Sequence, residues 1–84
     1  MSVRVLFFAS LRDSLGCDEH MLEMNAPMEL SAFIDRLAAE LGAAAREALT
    51  AESVRIAVNQ ELLNGTTRIC DGDEVAFLPP VTGG

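Results

Sequence analysis

The chain has 84 residues, half of them hydrophobic, and carries 13 acidic against six basic residues for a formal net charge of −7. That length makes one domain, residues 1–84, able to bury a core without metal or disulfide staples, and the acidic balance argues against a nucleic-acid partner because nothing offsets phosphate repulsion. No apolar run is long enough to span a membrane or shaped like a signal sequence, and Cys17 and Cys70 lack metal-ligand spacing and read as reduced thiols, so the expected setting is the cytoplasm.

Val3 to Ala9 reads as a strand. Val3, Val5, Phe7 and Ala9 share one face, and Arg4, Leu6 and Phe8 share the other, which the arginine marks as outer. Ser10 to Gly16 reads as a turn or connecting segment. Glu19 to Met24 is a second strand with Leu22 and Met24 inward, ended by Asn25-Ala26-Pro27. His20, the one histidine, has no obvious partner in sequence and reads as structural or surface. From Leu30 the period changes: Leu30, Phe33, Ile34, Leu37, Ala38 and Leu41 fall on one face of a helix that Gly42 stops. Ala43 to Leu49 suits a short second helix.

Arg55 to Asn59 is a third strand with Ile56 and Val58 inward. Asn59-Gln60 and Asn64-Gly65 are turn signals around a short strand at Glu61-Leu62-Leu63. Thr66 to Ile69 extends briefly, and Asp71-Gly72-Asp73 turns into a final strand, Glu74 to Leu78. There Val75 and Phe77 face one way and Ala76 and Leu78 the other. The expected fold class is α+β: a hairpin of the first two strands, a helix crossing one sheet face, and the last strand parallel beside the first. Leu6, Phe8 and Leu78, with Leu62 near the rim, are then left on the uncovered face.

The chain closes on Pro79-Pro80-Val81-Thr82-Gly83-Gly84. The prolines cannot donate to a strand ladder and favour a stiff, extended segment. Beyond Pro80 the chain reaches ~13 Å at ~3.3 Å per residue. Gly83 and Gly84 present no side chain, so the arm suits a narrow slot, and what it delivers is an α-carboxylate. A frayed terminus is the plain alternative, but this arm follows directly on a core strand.

No catalytic set is visible: there is no phosphate-binding glycine loop and no nucleophile–base pair. Asp71, Asp73 and Glu74 lack the spacing of a calcium loop and read as solvated turn charges. Any chemistry therefore belongs to Gly84. A carboxylate is a poor electrophile; adenylation by ATP makes AMP the leaving group, after which sulfur yields a thiocarboxylate and an amine yields an amide. Val81 and Thr82 are suited to pair with a partner strand on the way. All six basic residues are arginines. Genome composition explains that simply; protection of an activated carbonyl from amines is the sharper explanation.

Val5-Leu6-Phe7-Phe8-Ala9, Ala57-Val58-Asn59-Gln60 and, above all, Asp71 through Gly84 resemble the small-subunit family of molybdopterin synthase, ubiquitin-like sulfur carriers of molybdenum-cofactor synthesis. The resemblance covers nearly the whole chain and is most specific in the last fourteen residues. It implies a ubiquitin-like β-grasp fold with residues 79–84 as a projecting tail. It implies that Gly84 is adenylated by a ubiquitin-activating-like adenylyltransferase using ATP, and then carries a transient glycyl thiocarboxylate formed from a sulfur donor, with no permanently bound cofactor or metal. It implies insertion of Pro80, Val81, Thr82 and Gly83 into a large subunit, in a heterotetramer of two small and two large subunits that converts cyclic pyranopterin monophosphate to molybdopterin. The implied partner contacts are Arg12, Leu62 and Leu78, the last at a position where many relatives carry phenylalanine. Leu6 and Phe8 join them by strand parity. The alternatives are a sulfur carrier for thiamine, cysteine or tRNA thiolation, a ubiquitin-like protein modifier, and an interaction module with an inert tail. Pro79-Pro80-Val81-Thr82 favours the molybdopterin branch.

Overall fold

Strand alternation and helical periodicity are both realised in the computed structural model, which describes residues 2–79. β1 (Ser2–Phe7) and β2 (Glu19–Glu23) form the antiparallel hairpin, and β7 (Glu74–Leu78) lies parallel to β1. β4 (Arg55–Val58) pairs antiparallel with β7, and β5 (Glu61–Leu62) closes the edge, giving a mixed five-stranded sheet in the order β2-β1-β7-β4-β5. Two short strands, β3 (Met28–Glu29) and β6 (Arg68–Ile69), pair separately. This is an α+β sheet-and-helix architecture, as the sequence implies. Among the described residues no helix is long and apolar enough to cross a membrane.

One sheet face is covered by helices α2 (Leu30–Leu41) and α3 (Ala43–Leu49). Phe33 and Leu37 of α2 and Leu49 of α3 join Val3, Val5, Phe7, Leu22, Val75 and Phe77 in one buried cluster. The Phe7 and Phe77 rings stack at 6.0 Å between centroids, an arrangement worth ~0.5–1.5 kcal/mol beyond area burial. Gly42 ends α2 with φ 107°, and its N–H donates to the Ala38 carbonyl at 2.7 Å. Ile56 and Val58 sit opposite Phe77 and Val75, so they do face the core, although each stays half-buried near the sheet margin.

Three local expectations change. Ser10 to Leu15 is not a connecting turn but a helix, α1, whose Leu11 enters the core. Its polar residues suggest a loop, but Leu11 and Leu15 are four apart and share a helical face. Gly16, at φ 76°, terminates it in the left-handed conformation. Ala9 is exposed rather than inward, because β1 stops at Phe7 and Ala9 takes φ 49° at the entry to α1. His20 is partnered: its Nε2 lies 2.8 Å from Glu40 Oε1, and Arg36 Nε is 3.6 Å from the other Glu40 oxygen. Val5 and His20 are register partners, which puts His20 on the helix-covered side and ties edge strand β2 to α2.

The Asn59-Gln60 turn is held by one side chain. Both residues have positive φ, 52° and 70°, which suits a two-residue hairpin. Asn59 Oδ1 accepts from the Glu74 N–H at 3.0 Å, and its Nδ2 donates to Asp73 Oδ1 at 3.1 Å. Asp73 Oδ2 accepts from the Cys70 N–H at 2.8 Å, so the β4–β5 turn is tied to the turn that starts β7. Asn59→Ala is expected to destabilise the domain by about 1–3 kcal/mol, combining a lost hydrogen-bond pair with left-handed strain. Asn64→Ala should stay within about 0.5 kcal/mol, as surface changes do. Urea unfolding of both variants checks the contrast.

A candidate docking face on the open side of the sheet

The face away from the helices is built by register. Leu6 pairs with Ala76, Ala76 with Ala57, and Ala57 with Leu62. Partners directly across a ladder share a face, so these four side chains make one row across four strands. The two central members are alanines and the outer two are leucines, which makes a trough. Leu78 and Phe8 close one end, and Glu74 and Gln60 close the other. The resulting cleft has a volume of about 480 Å³. Ala57 and Ala76 are buried beneath it, Leu6 and Leu78 are half-buried, and Leu62 and Phe8 are 68% and 44% exposed. Uncovered apolar side chains gathered in one concavity form a docking surface more readily than scattered ones do.

The cleft has a charged border. Arg4 Nε bonds Glu19, and Arg4 Nη1 is 3.5 Å from Glu74. The hydrogen bond that Arg4 donates to Glu19, and then the Glu19 charge, raise the Arg4 guanidinium above its ordinary pKa. Glu74 therefore lines the cleft while already held by Arg4. On the other border Arg55, the register partner of Leu78, is exposed and makes no ion pair among the described residues.

Four sequence-chosen residues, Leu6, Phe8, Leu62 and Leu78, thus meet in one cleft. Arg12 does not join them. It projects from α1 beside a separate shallow depression with Asp13, Gly16, Cys17 and Asp18, because the segment after β1 coils into a helix that carries it off the sheet. Pro80, Val81, Thr82, Gly83 and Gly84 lie outside the described residues. Pro79, half-buried, follows Leu78 directly, so the tail is rooted at the Leu78–Phe8 end of the cleft. Sequence reasoning put Ala76 outward but missed Ala57 beside it, and missed Glu74. Counting parity on β4 and β7 together would have found the floor, since both alanines are small residues flanked by large inward ones. Among the described residues no group of three or more His, Cys, Asp or Glu is arranged to hold a metal, and no buried side-chain polar atom lacks a partner. The described part offers a surface and a launching point.

Known proteins resemble this chain in sequence and in fold. The model of the ThiS family matches residues 5–84. The molybdopterin synthase sulfur carrier subunit of Escherichia coli K12 is 40% identical over 84 residues, covering 98% of this chain and 99% of that one. SAMP1 from Haloferax volcanii superposes with a TM-score of 0.78 over 100% of both chains at 22% identity, a likeness of fold. A chain from the protein–protein complex of subunits 1 and 2 of molybdopterin-converting factor from Helicobacter pylori 26695 gives a TM-score of 0.62 at 27% identity, again over 100% of both chains.

Two residues of the same row should answer differently to a charge. Leu62→Asp is expected to change unfolding stability by less than about 0.5 kcal/mol, because the side chain is already in water. Ala57→Asp buries a carboxylate without a counter-charge and should cost about 3 kcal/mol or more. Denaturant midpoints of the two variants measure this directly.

Proposed function

The chain belongs to the ThiS family, and on that premise we propose that it is the sulfur carrier of molybdopterin synthesis, with Gly84 as the residue that bears the sulfur. The observation that carries this is the match to a molybdopterin synthase sulfur carrier along 98% of the chain. The described domain supports it by combining a buried, hydrogen-bonded last strand with an apolar cleft at the point where the tail departs.

In the proposed cycle an ATP-using, ubiquitin-activating-like enzyme adenylates Gly84. A carboxylate oxygen attacks the α-phosphorus, and pyrophosphate leaves. Sulfur delivered by a donor then displaces AMP from the carbonyl carbon, leaving a thiocarboxylate. The carrier itself holds no permanent cofactor in this scheme, which runs in the cytoplasm. The loaded carrier docks on a large subunit, the kind of partner present in the Helicobacter pylori complex. Leu62, Leu78, Phe8 and Leu6 supply apolar contact, while Pro80, Val81, Thr82 and Gly83 lead Gly84 into the large subunit's site. There sulfur passes to cyclic pyranopterin monophosphate. A dithiolene contains two sulfurs, so two loaded carriers serve each product, matching an assembly of two small and two large subunits. Arg12 belongs to this interface only if the large subunit wraps past the end of β1 onto α1.

Why should the domain be rigid while the tail is bare? Docking and delivery place different demands on the chain. The cleft binds before chemistry and gains from preorganisation. The tail must enter sites in two enzymes, and glycine allows close approach of backbone to each.

Intact mass after incubation with ATP, the activating enzyme and a sulfur donor should rise by the difference between sulfur and oxygen, and the change should map to Gly84. Methionine oxidation adds nearly the same mass, but the tryptic piece from Ile69 to Gly84 contains no methionine. Cys70 lies in that piece and must be separated from Gly84 by fragmentation. Removing Gly84 should abolish loading and leave the melting temperature unchanged. Leu62→Asp should weaken binding to the large subunit tenfold or more, about 1.4 kcal/mol, in calorimetry. Amide conjugates in place of a thiocarboxylate would instead favour a protein modifier.

A further inference from the structure

We propose that Asn64 is a site of spontaneous deamidation, converted to aspartate and isoaspartate through attack by the Gly65 nitrogen, and that the conversion alters the β5 rim of the docking cleft. The modification does not depend on the sulfur-carrier reading; its effect on docking rests on that reading.

The reaction needs a side-chain amide that is not held elsewhere, a following backbone nitrogen free to attack, and no side chain crowding that nitrogen. Water is its only co-reactant. The Gly65 nitrogen bonds to Asn64 Cγ, the bond from Cγ to Nδ2 breaks, and ammonia leaves with the proton that the Gly65 nitrogen gives up. Water then opens the five-membered imide at either carbonyl. One opening gives aspartate. The other gives isoaspartate, whose main chain runs through the β-carbon.

The chain has three asparagines, and Asn64 alone meets all the conditions. It lies in the exposed bend between β5 and β6, and its side chain makes no hydrogen bond among the described residues. The Gly65 N–H donates to no backbone carbonyl there. Even a methyl at Gly65 would meet nothing within 4 Å, so the imide ring has room to form. Asn25 is also in an exposed bend, but Ala26 follows it and brings a Cβ beside the attacking nitrogen. Asn59 is held on both sides, its Nδ2 by Asp73 and its Oδ1 by the Glu74 N–H.

Asp71-Gly72 shows what protection looks like. An Asp-Gly step closes the same ring with loss of water, yet here both reacting groups are occupied. Asp71 Oδ1 accepts from the Ser2 N–H at 2.8 Å, and the Gly72 N–H donates to the Ser2 carbonyl at 2.9 Å. The fold therefore locks one such step and leaves the other open.

The open step borders the cleft. Leu62, two residues before Asn64, is the most exposed of the cleft's apolar side chains at 68%. The Leu63 N–H donates to the Ile56 carbonyl at 2.9 Å and ties the end of β5 to β4. Isoaspartate lengthens the main chain directly after that tie, and either product adds a negative charge to a chain already at −7.

The test holds full-length wild type and Asn64→Ala at neutral pH, folded and in urea, and follows tryptic pieces by mass. Asn25 falls in the piece from Asp13 to Arg36, and Asn59 and Asn64 in the piece from Ile56 to Arg68, where fragmentation separates them. In the folded chain Asn64 is expected to convert at least tenfold faster than Asn25 or Asn59, and within about threefold of its own rate in urea. Isoaspartate at Asp71 should form at least tenfold faster in urea than in the folded chain. Asn64 converting no faster than Asn25, or slowed tenfold or more by folding, would overturn the assignment. Converted wild type, separated by anion exchange, should bind the large subunit at least threefold more weakly than unconverted chain, while Asn64→Ala keeps its binding through the same incubation. Equal binding by converted and unconverted chain would overturn the effect on docking. Failure of the unconverted chain to bind the large subunit would overturn the docking reading and that effect, and leave the modification standing.

Discussion

The parallel pairing of β7 with β1 is the constraint on which the other features depend. It puts Val75 beside Val5 and Phe77 beside Phe7, so the two longest apolar segments share one core face. A parallel pair needs a long crossover, and the chain between them supplies the helices that cover that face. The same pairing sets β7 in the sheet interior, between β1 and β4. A strand held on both sides is a firm base for anything that leaves its end.

The outer face follows from the same register. Since side chains alternate, placing Val75 and Phe77 inward obliges Ala76 and Leu78 to point outward. Small residues in the middle strands and larger ones on β1 and β5 then produce a trough where a uniform apolar surface would have been flat. The ion pairs of Arg4 with Glu19 and Glu74 border it. They are exposed and add little stability; their effect is to give one border a fixed charge pattern. The trough crosses the middle of β4 and β7, and the polar tie of Asn59 to the start of β7 borders its Glu74 end.

Legibility in the sequence tracked the range of the interactions involved. The strands at Val3 and Glu74 and the helix at Leu30 were readable because their periodicity reports burial directly. The parity argument put Leu6, Phe8 and Leu78 on the outer face, and all three line the cleft. Two features were not readable. The Ser10–Leu15 helix has too few residues to display a period and too many polar ones to resemble a helix; Leu11 is helical because the core accepts it. The His20–Glu40 contact joins residues twenty apart in sequence, so no local pattern announces it.

The sequence by itself determined the class of fold, the inward residues of the long strands and the main helix, and the composition of the tail, because each is written in nearest-neighbour chemistry: alternation, helical spacing, prolines followed by glycines. Only the tertiary structure decided that Ala57 and Ala76 lie side by side as the floor of a cleft, that Arg12 stands apart from it, and that Arg55 sits beside the root of the tail. The first and last are statements of register between strands distant in the chain; the second follows from the coiling of α1. Register is set by the joint packing of both strands against the helices, and no single segment contains it.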